Sequence, residues 1–304
     1  MAANQGLFYQ SLRAMHELTT HELLVDLAPA QTNHNKRASI LRHGLVVCSF
    51  SSLESYLNER IEDVCQTFAN VGFPYTSFSE NLQKFLVVEG IIGLANAINF
   101  RPKPDRLAFA DRNLRRISTF DSQNPIYTSF GFSPRGSNVG AGDITNAIVA
   151  FGISEPWRTL SRFASTFGGG TPNLQIDFEN MSRARNSSAH DPSTNVPTAD
   201  VQSHLLSAIN VAVSFDAMIG RISAALATST TFAAYAATVQ TAQPRIRFVD
   251  ERLDGNWDER SQSNGRSLKI HANEAGATLT ARQRQNVDLV VVRDTQSRPL
   301  AAHN

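Results

Sequence analysis

Three side chains close together near the middle of the chain have types and spacing suited to chemistry at a phosphate: Arg185, Asn186 and His190. A guanidinium offers fixed, paired donors that match phosphate oxygens, and an imidazole gains or loses a proton near neutral pH. The stretch carrying them, residues 176–191, has helical composition up to about Ala189. Pro192 cannot continue a helix and pushes Asp191 out of the α region, which puts the helix end close to His190. Leu174, Phe178 and Met181 recur at spacings of four and three and mark the face that enters the core. Arg185 is the next position on that face, at its edge. Asn186 and His190 are four apart and share the neighbouring face. Without further context Arg185 also reads as a cation snorkelling from the rim of the core, with His190 as a C-terminal cap favoured by the helix dipole.

The run Arg185-Asn186-Ser187-Ser188-Ala189-His190 has the form R-N-x-x-x-H and resembles the signature of the HEPN superfamily of all-helical ribonuclease domains. Upstream, residues 41–57 (L-R-H-G-L-V-V-C-S-F-S-S-L-E-S-Y-L) resemble the RiboL-PSP-like branch, in which a long apolar helix carries one acidic residue, here Glu54. The resemblance runs from about Ala38 to Ala225. It implies metal-independent endonucleolytic cleavage of RNA, with the ribose 2′-hydroxyl attacking the adjacent phosphate to leave a cyclic phosphate end. His190 would be the general acid/base, Arg185 would hold the scissile phosphate, and Asn186 would orient His190 or the substrate. One motif supplies one imidazole where acid and base are both required, so a homodimer with two facing motifs is implied.

Such a protein is expected to act on RNA without a cofactor or metal, in the setting of a toxin or phage-defence effector restrained by an inhibitory or antitoxin partner. Some relatives carry a tyrosine two residues after the motif histidine that a partner nucleotidyltransferase modifies. Here Asp191-Pro192 follows His190, so that mode of control is not expected. The alternative is a catalytically silent RNA-binding or dimerisation module of a larger defence system.

Formal charge is +1 over 304 residues, so no global basic field attracts nucleic acid and any attraction must be local. The densest basic stretch holds Arg101, Lys103 and Arg106, then Arg112, Arg115 and Arg116. It reads either as an electrostatic track for an RNA backbone or as a stiff proline-containing connector before a solvated helix; no aromatics interleave in a stacking pattern, which favours the connector. Glu54 reads either as an exposed carboxylate near Asn58 or Arg60 or as a partner orienting Arg185 or His190. His43 reads as structural or surface.

Other motifs carry less. His16 and His21 are five apart and do not share a helix face as zinc ligands would. The glycines at 136–142 are followed by no Gly-Lys-Ser/Thr, so they form no P-loop. Cys48 and Cys65 lie in an apolar helical pattern and read as buried free thiols of a reducing compartment. No basic-then-apolar leader opens the chain and no apolar stretch looks long enough to span a bilayer, so a cytoplasmic protein off the membrane is expected.

The expected fold is mainly α: a HEPN-like helical bundle over residues 1–243 and a small β-rich appendage over residues 244–304. Helices are expected over residues 7–28, 35–68, 78–99 and 201–226, with residues 121–143 as loop and a joint at Gly168-Gly169-Gly170. Arg245–Val249 and Leu289–Val292 read as strands, and Asp254-Gly255-Asn256 and Ser263-Asn264-Gly265 as turns. The bland role for the appendage is packing on the helical domain or on a partner chain.

Overall fold

The computed structural model describes residues 2–136, 138–170, 172–191, 193–285 and 287–304; Pro192, on which the sequence places the end of the motif helix, lies outside them. The described chain is mainly helical. In order it forms α1 (Ala2–Leu18), α2 (Thr32–Val71), α3 (Glu80–Gln83), α4 (Gly90–Asn99), α5 (Arg106–Ile117), α6 (Ala141–Ala150), α7 (Pro156–Thr166), α8 (Leu174–His190), α9 (Thr198–Ala227) and α10 (Phe232–Val239). A C-terminal sheet follows: β1 (Ile246–Glu251), β2 (Trp257–Arg260), β3 (Ser267–His271), then α11 (Glu274–Arg282), β4 (Leu289–Arg293) and β5 (Pro299–His303).

The chain divides into two compact units, and residue 244 is one of several points where it passes from one to the other. One unit takes Met1–Tyr56, Trp157–Ala217 and Pro244–Asn304; the other takes Leu57–Pro156 and Met218–Gln243. The sheet therefore belongs with α1, α8 and most of α9: the chain does change unit between residues 243 and 244, but residues 244–304 share a unit with these helices. The reason is side-chain complementarity: Phe167 meets Phe248 with ring centroids 6.2 Å apart. Gly168, at φ +89°, packs so closely that a Cβ there would lie 2.0 Å from the Ser297 carbonyl oxygen. At the other end Arg13 of α1 pairs with Glu274 of α11 at 2.9 Å.

In the first unit the sheet order is β3-β2-β1-β4-β5, with β1 and β4 parallel and every other pair antiparallel. A parallel β1–β4 pair needs a crossover, and α11 supplies it. Leu289–Val292 is a continuous buried run, as a central strand covered on both faces must be. Register places Arg293 of β4 opposite Asp250 of β1. The buried guanidinium bonds that carboxylate at 2.7 and 2.8 Å and lies over the Phe248 ring. The unit also holds a buried carboxylate: Asp216 of α9 accepts from Gln5 Nε2 at 2.9 Å, Tyr9 Oη at 2.7 Å and Tyr56 Oη at 2.6 Å. Three donors satisfy a charge that would otherwise be costly to enclose, and they tie α1 and α2 to α9.

The second unit is built on packed aromatics. Phe68 stacks on Phe151 at 5.5 Å and meets Tyr235 edge-on at 5.1 Å, and Phe85 meets Phe151 edge-on at 5.4 Å. Between α3 and α4 the helix continues through a π-helical segment, Lys84–Glu89. The chain leaves α5 through irregular structure and a 3-10 turn, Ser129–Gly131, before α6. Gly140 caps α6, and the Asp143 carboxylate in the first turn accepts the Gly140 N–H at 2.8 Å.

Several expectations are corrected. The helix expected over residues 7–28 stops at Leu18, and Glu22–Leu24 is a separate 3-10 turn capped by His21. Helix α11 and strand β5 were not legible in the sequence. Cys65 is buried as expected, and burial raises its thiol pKa well above the usual value. Cys48 is exposed instead. The buried stripe of α2 runs through Val46, Phe50, Leu53 and Leu57, and position 48 falls on the opposite side of the helix. The early part of that stripe is Ala38, Arg42 and Val46, while Ile40 and Leu41 face outward. Arg42 is enclosed because it donates to the Leu24 carbonyl at 2.8 Å and to both Asp26 oxygens at 3.0 and 3.1 Å. Helix α9 is long and apolar enough to cross a membrane, against expectation, but its apolar window is mostly buried inside the protein.

Candidate functional site

Helix α8 positions the motif, and its sequence explains how. Asn173 caps the helix, its side chain accepting from the Ile176 N–H at 3.2 Å. Leu174, Phe178 and Met181 are buried as the spacing requires. Phe178 sits between Phe50 of α2 at 5.5 Å and Trp157 of α7 at 5.7 Å, which fixes the rotation of α8. The same rotation puts Arg185 on the rim, half-buried, with Asn186 and His190 exposed.

Arg185 makes one hydrogen bond from Nη1 to Asn186 Oδ1 at 3.2 Å. Its Nε is enclosed and has no hydrogen-bond partner among the described residues, and the same is true of Ser188 Oγ. Positions 185 and 188 are three apart and neighbours on the helix surface. Two enclosed groups with donors and no acceptor cost free energy that a ligand oxygen would recover. The third motif side chain, His190, stands in the last turn.

The segment after His190 is held by a compact set of hydrogen bonds. The Asp191 N–H bonds the Ser187 carbonyl at 2.8 Å and closes the helix. The Asp191 carboxylate accepts from Ser193 N at 3.0 Å, Ser193 Oγ at 2.6 Å and Thr194 Oγ1 at 2.9 Å. The Ser193 hydroxyl, with Thr194 helping, holds the Asp191 pKa below the usual carboxylate value. Thr194 in turn is tied to α2: its carbonyl oxygen lies 2.8 Å from Nε2 of His43, which is buried. His43 is therefore structural, one of the two roles the sequence left open.

These contacts also locate Glu54. His43 meets the chain just after α8, while Phe50 meets Phe178 within it, so α2 and α8 run antiparallel. Glu54 lies past Phe50 in one direction and Arg185 past Phe178 in the other. At 1.5 Å rise per residue they are separated by roughly 16 Å along the helices, and His190 lies farther still. Orientation of Arg185 or His190 by direct contact with Glu54 is not part of this geometry. The upstream apolar helix fixes α8 through Phe50 and His43 instead.

The basic stretch lies in the second unit, and most of its charges have local work. Arg101 lies over the Phe109 ring at 4.5 Å. Arg106 donates to the Arg101 and Asn99 carbonyls at 3.0 and 2.7 Å, closing the end of α4. Arg115 pairs with Asp111 at 2.9 Å and Arg116 with Glu62 at 2.8 Å. Lys103 and Arg112 are exposed, with no partner among the described residues. Phe100 and Phe109 sit among these cations, and Phe130 packs edge-on, not stacked, against Phe109 at 6.3 Å. Phe130 comes from a distant loop, so no local pattern could reveal it.

Comparison with family models, characterised proteins and solved structures gives no match for this chain. Within the molecule itself, a turn and a half of α8 carries a guanidinium with an unpartnered N–H, a hydroxyl, a carboxamide that bonds the guanidinium, and a solvent-reachable imidazole that lies five residues from Arg185 and on another side of the helix. That set can bind an oxyanion and move one proton.

Proposed function

We propose that α8 is the catalytic helix of a metal-independent endoribonuclease of HEPN type, working as a homodimer. The observation that carries this reading is the enclosed, unpartnered Nε of Arg185, about a turn and a half of helix from the exposed imidazole of His190. The imidazole is open to solvent and the Arg185 side chain is half-buried, so a small shift of the guanidinium at the rim would bring its unpartnered N–H to a phosphate oxygen.

In the reaction, the imidazole of one His190 takes the proton of a ribose 2′-hydroxyl. The 2′-oxygen forms a bond to the adjacent phosphorus as the bond to the 5′-oxygen breaks. The second subunit's His190, as imidazolium, protonates the leaving 5′-oxygen. The products are a 2′,3′-cyclic phosphate and a 5′-hydroxyl. Arg185 binds the non-bridging oxygens and stabilises their added charge, and Asn186 fixes the guanidinium through the bond it accepts from Nη1. RNA is the substrate, and a cytoplasmic toxin or defence role under an inhibitory partner is the setting that fits such an activity.

The test is cleavage of mixed cellular RNA in EDTA by wild type, Arg185→Ala and His190→Ala. Cleavage that survives chelation, leaves cyclic phosphate ends and disappears in both variants is the expected result. Variants that cut like wild type would remove α8 from the chemistry. A second reading, a silent RNA-binding or dimerisation module, draws on the single imidazole in each α8; it predicts RNA binding by wild type and His190→Ala alike, with no cleavage by either.

A further inference from the structure

The second unit contains a cavity of about 400 Å³ whose walls come from α2, α4, α5 and the loop around Ser129–Gly131. It falls within the roughly 300–1,000 Å³ of small-molecule sites. Phe100, Arg101, Phe109 and Phe130 line it, and the carboxamides of Asn58 and Asn96 reach its edge. We propose that this cavity holds an unstacked nucleobase of single-stranded RNA, with the neighbouring phosphates on Arg101, Lys103 and Arg112. The proposal rests on the RNA reading above and deepens it, naming where the substrate strand is gripped.

The walls are fixed before any ligand arrives. Glu62 joins two of them, bonding Arg116 of α5 through Oε1 at 2.8 Å and the Ser129 N–H through Oε2 at 2.6 Å. Asn96 Nδ2 donates to the Pro134 carbonyl, joining α4 to the loop. The loop approaches α4 at Gly93, where a Cβ would lie 1.8 Å from the Phe130 carbonyl oxygen, so only glycine allows the contact. A cavity closed by such contacts binds without a large ordering cost.

Its chemistry matches a base better than a lipid or an apolar peptide. Phe100 is 76 % exposed, an aromatic face left in water beside the cavity. Arg101 already sits over the Phe109 ring, 4.5 Å from its centroid, and adds a second planar group beside the cavity. Bases of every type stack on such surfaces, and carboxamides at the edge pair with base donors and acceptors. Lys103, two residues from Arg101, and Arg112, one turn beyond Phe109 on α5, are exposed cations placed to follow a phosphate backbone.

The experiment is fluorescence anisotropy with a short fluorescein-labelled single-stranded RNA, in the full chain carrying His190→Ala so that the probe stays intact. Phe100→Ala and Arg101→Ala each weaken binding about tenfold. Lys103→Ala and Arg112→Ala each lower the salt dependence by about one counterion. Phe100, Arg101, Lys103 and Arg112 are exposed, so circular dichroism and melting remain those of the parent. Unchanged affinity in both Phe100→Ala and Arg101→Ala, or no RNA binding by the parent, overturns the proposal. So does binding of phosphatidylserine-containing vesicles that Phe100→Ala abolishes while RNA binding stays intact. Cleavage in EDTA is scored separately: a wild type that cuts while the Phe100 and Arg101 variants bind normally removes this cavity and leaves the nuclease standing. Variants that lose binding beside a wild type that never cuts keep the cavity and remove the nuclease.

Discussion

The imidazole Nε2 of His43 and the carbonyl oxygen of Thr194 are 2.8 Å apart, joining residues 151 positions distant in sequence. A carbonyl only accepts, so this imidazole carries its proton on Nε2. The bond pins the segment just after His190 to α2, and with it the end of the helix that carries the motif.

Replacing His43 by alanine leaves the Thr194 carbonyl without that donor and opens space at a buried position. The expected loss is about 1–3 kcal/mol of stability, read from urea denaturation. If the protein cleaves RNA as proposed, cleavage falls by more than the unfolded fraction explains, since His190 is then less well held. A His43→Ala variant with wild-type stability and wild-type cleavage would show that the anchor is dispensable.

Arginine at position 185 is expected to be irreplaceable by lysine. Lysine keeps the charge but has no Nε–H within a planar fork. If Arg185 binds the scissile phosphate as proposed, Arg185→Lys lowers turnover by about 10²–10³-fold while the melting temperature moves little, because the side chain is only half-buried. Turnover within a few-fold of wild type would mean that charge alone suffices.

If two copies of His190 serve each catalytic centre, inactive subunits poison active ones. An equal mixture of wild type and His190→Ala, allowed to exchange, shows about a quarter of the activity of the same total amount of wild type rather than about a half. Retention of a half would show that each subunit works alone, and the second proton-transfer group must then be sought within one chain.

Acid should destabilise the first unit before it protonates most carboxylates. Burial lowers the pKa of His204, against a smaller opposing pull from Asp200. Burial also lowers His303, with Arg282 reinforcing it, and His16, with Arg298 reinforcing it. A histidine whose folded pKa is depressed contributes stability that is complete above its unfolded value of about 6.5 and is lost as pH falls towards the folded value. The melting temperature is thus expected to drop between pH 7 and pH 5, and less so in His204→Gln. A flat profile across that range would show that these imidazoles titrate alike in the folded and unfolded chain.

Helix α8 owes its local structure to its own residues. Leu174, Phe178 and Met181 at spacings of four and three specify one buried face, and that face alone puts Arg185 on the rim and Asn186 and His190 outside. The long apolar helices, the loop expected over residues 121–143 as far as the start of α6 at Ala141, and the strands around Phe248 and Val291 were legible for the same reason, since periodicity is a property of neighbours along the chain. Tertiary packing settled everything that involves distant neighbours. It turned Cys48 outward and Arg42 inward, because α2 packs on a stripe that Leu24 and Asp26 help to complete. It moved Glu54 away from the motif and put His43 next to it, because α2 and α8 run antiparallel. It brought Phe130 against Phe109 and closed a cavity that no local pattern contains. It also joined the sheet to α1 and to Phe167 just past α7, where composition alone suggested an appendage. Helix direction, register and long-range partners depend on contacts between residues far apart in sequence, and a one-dimensional pattern carries no record of them.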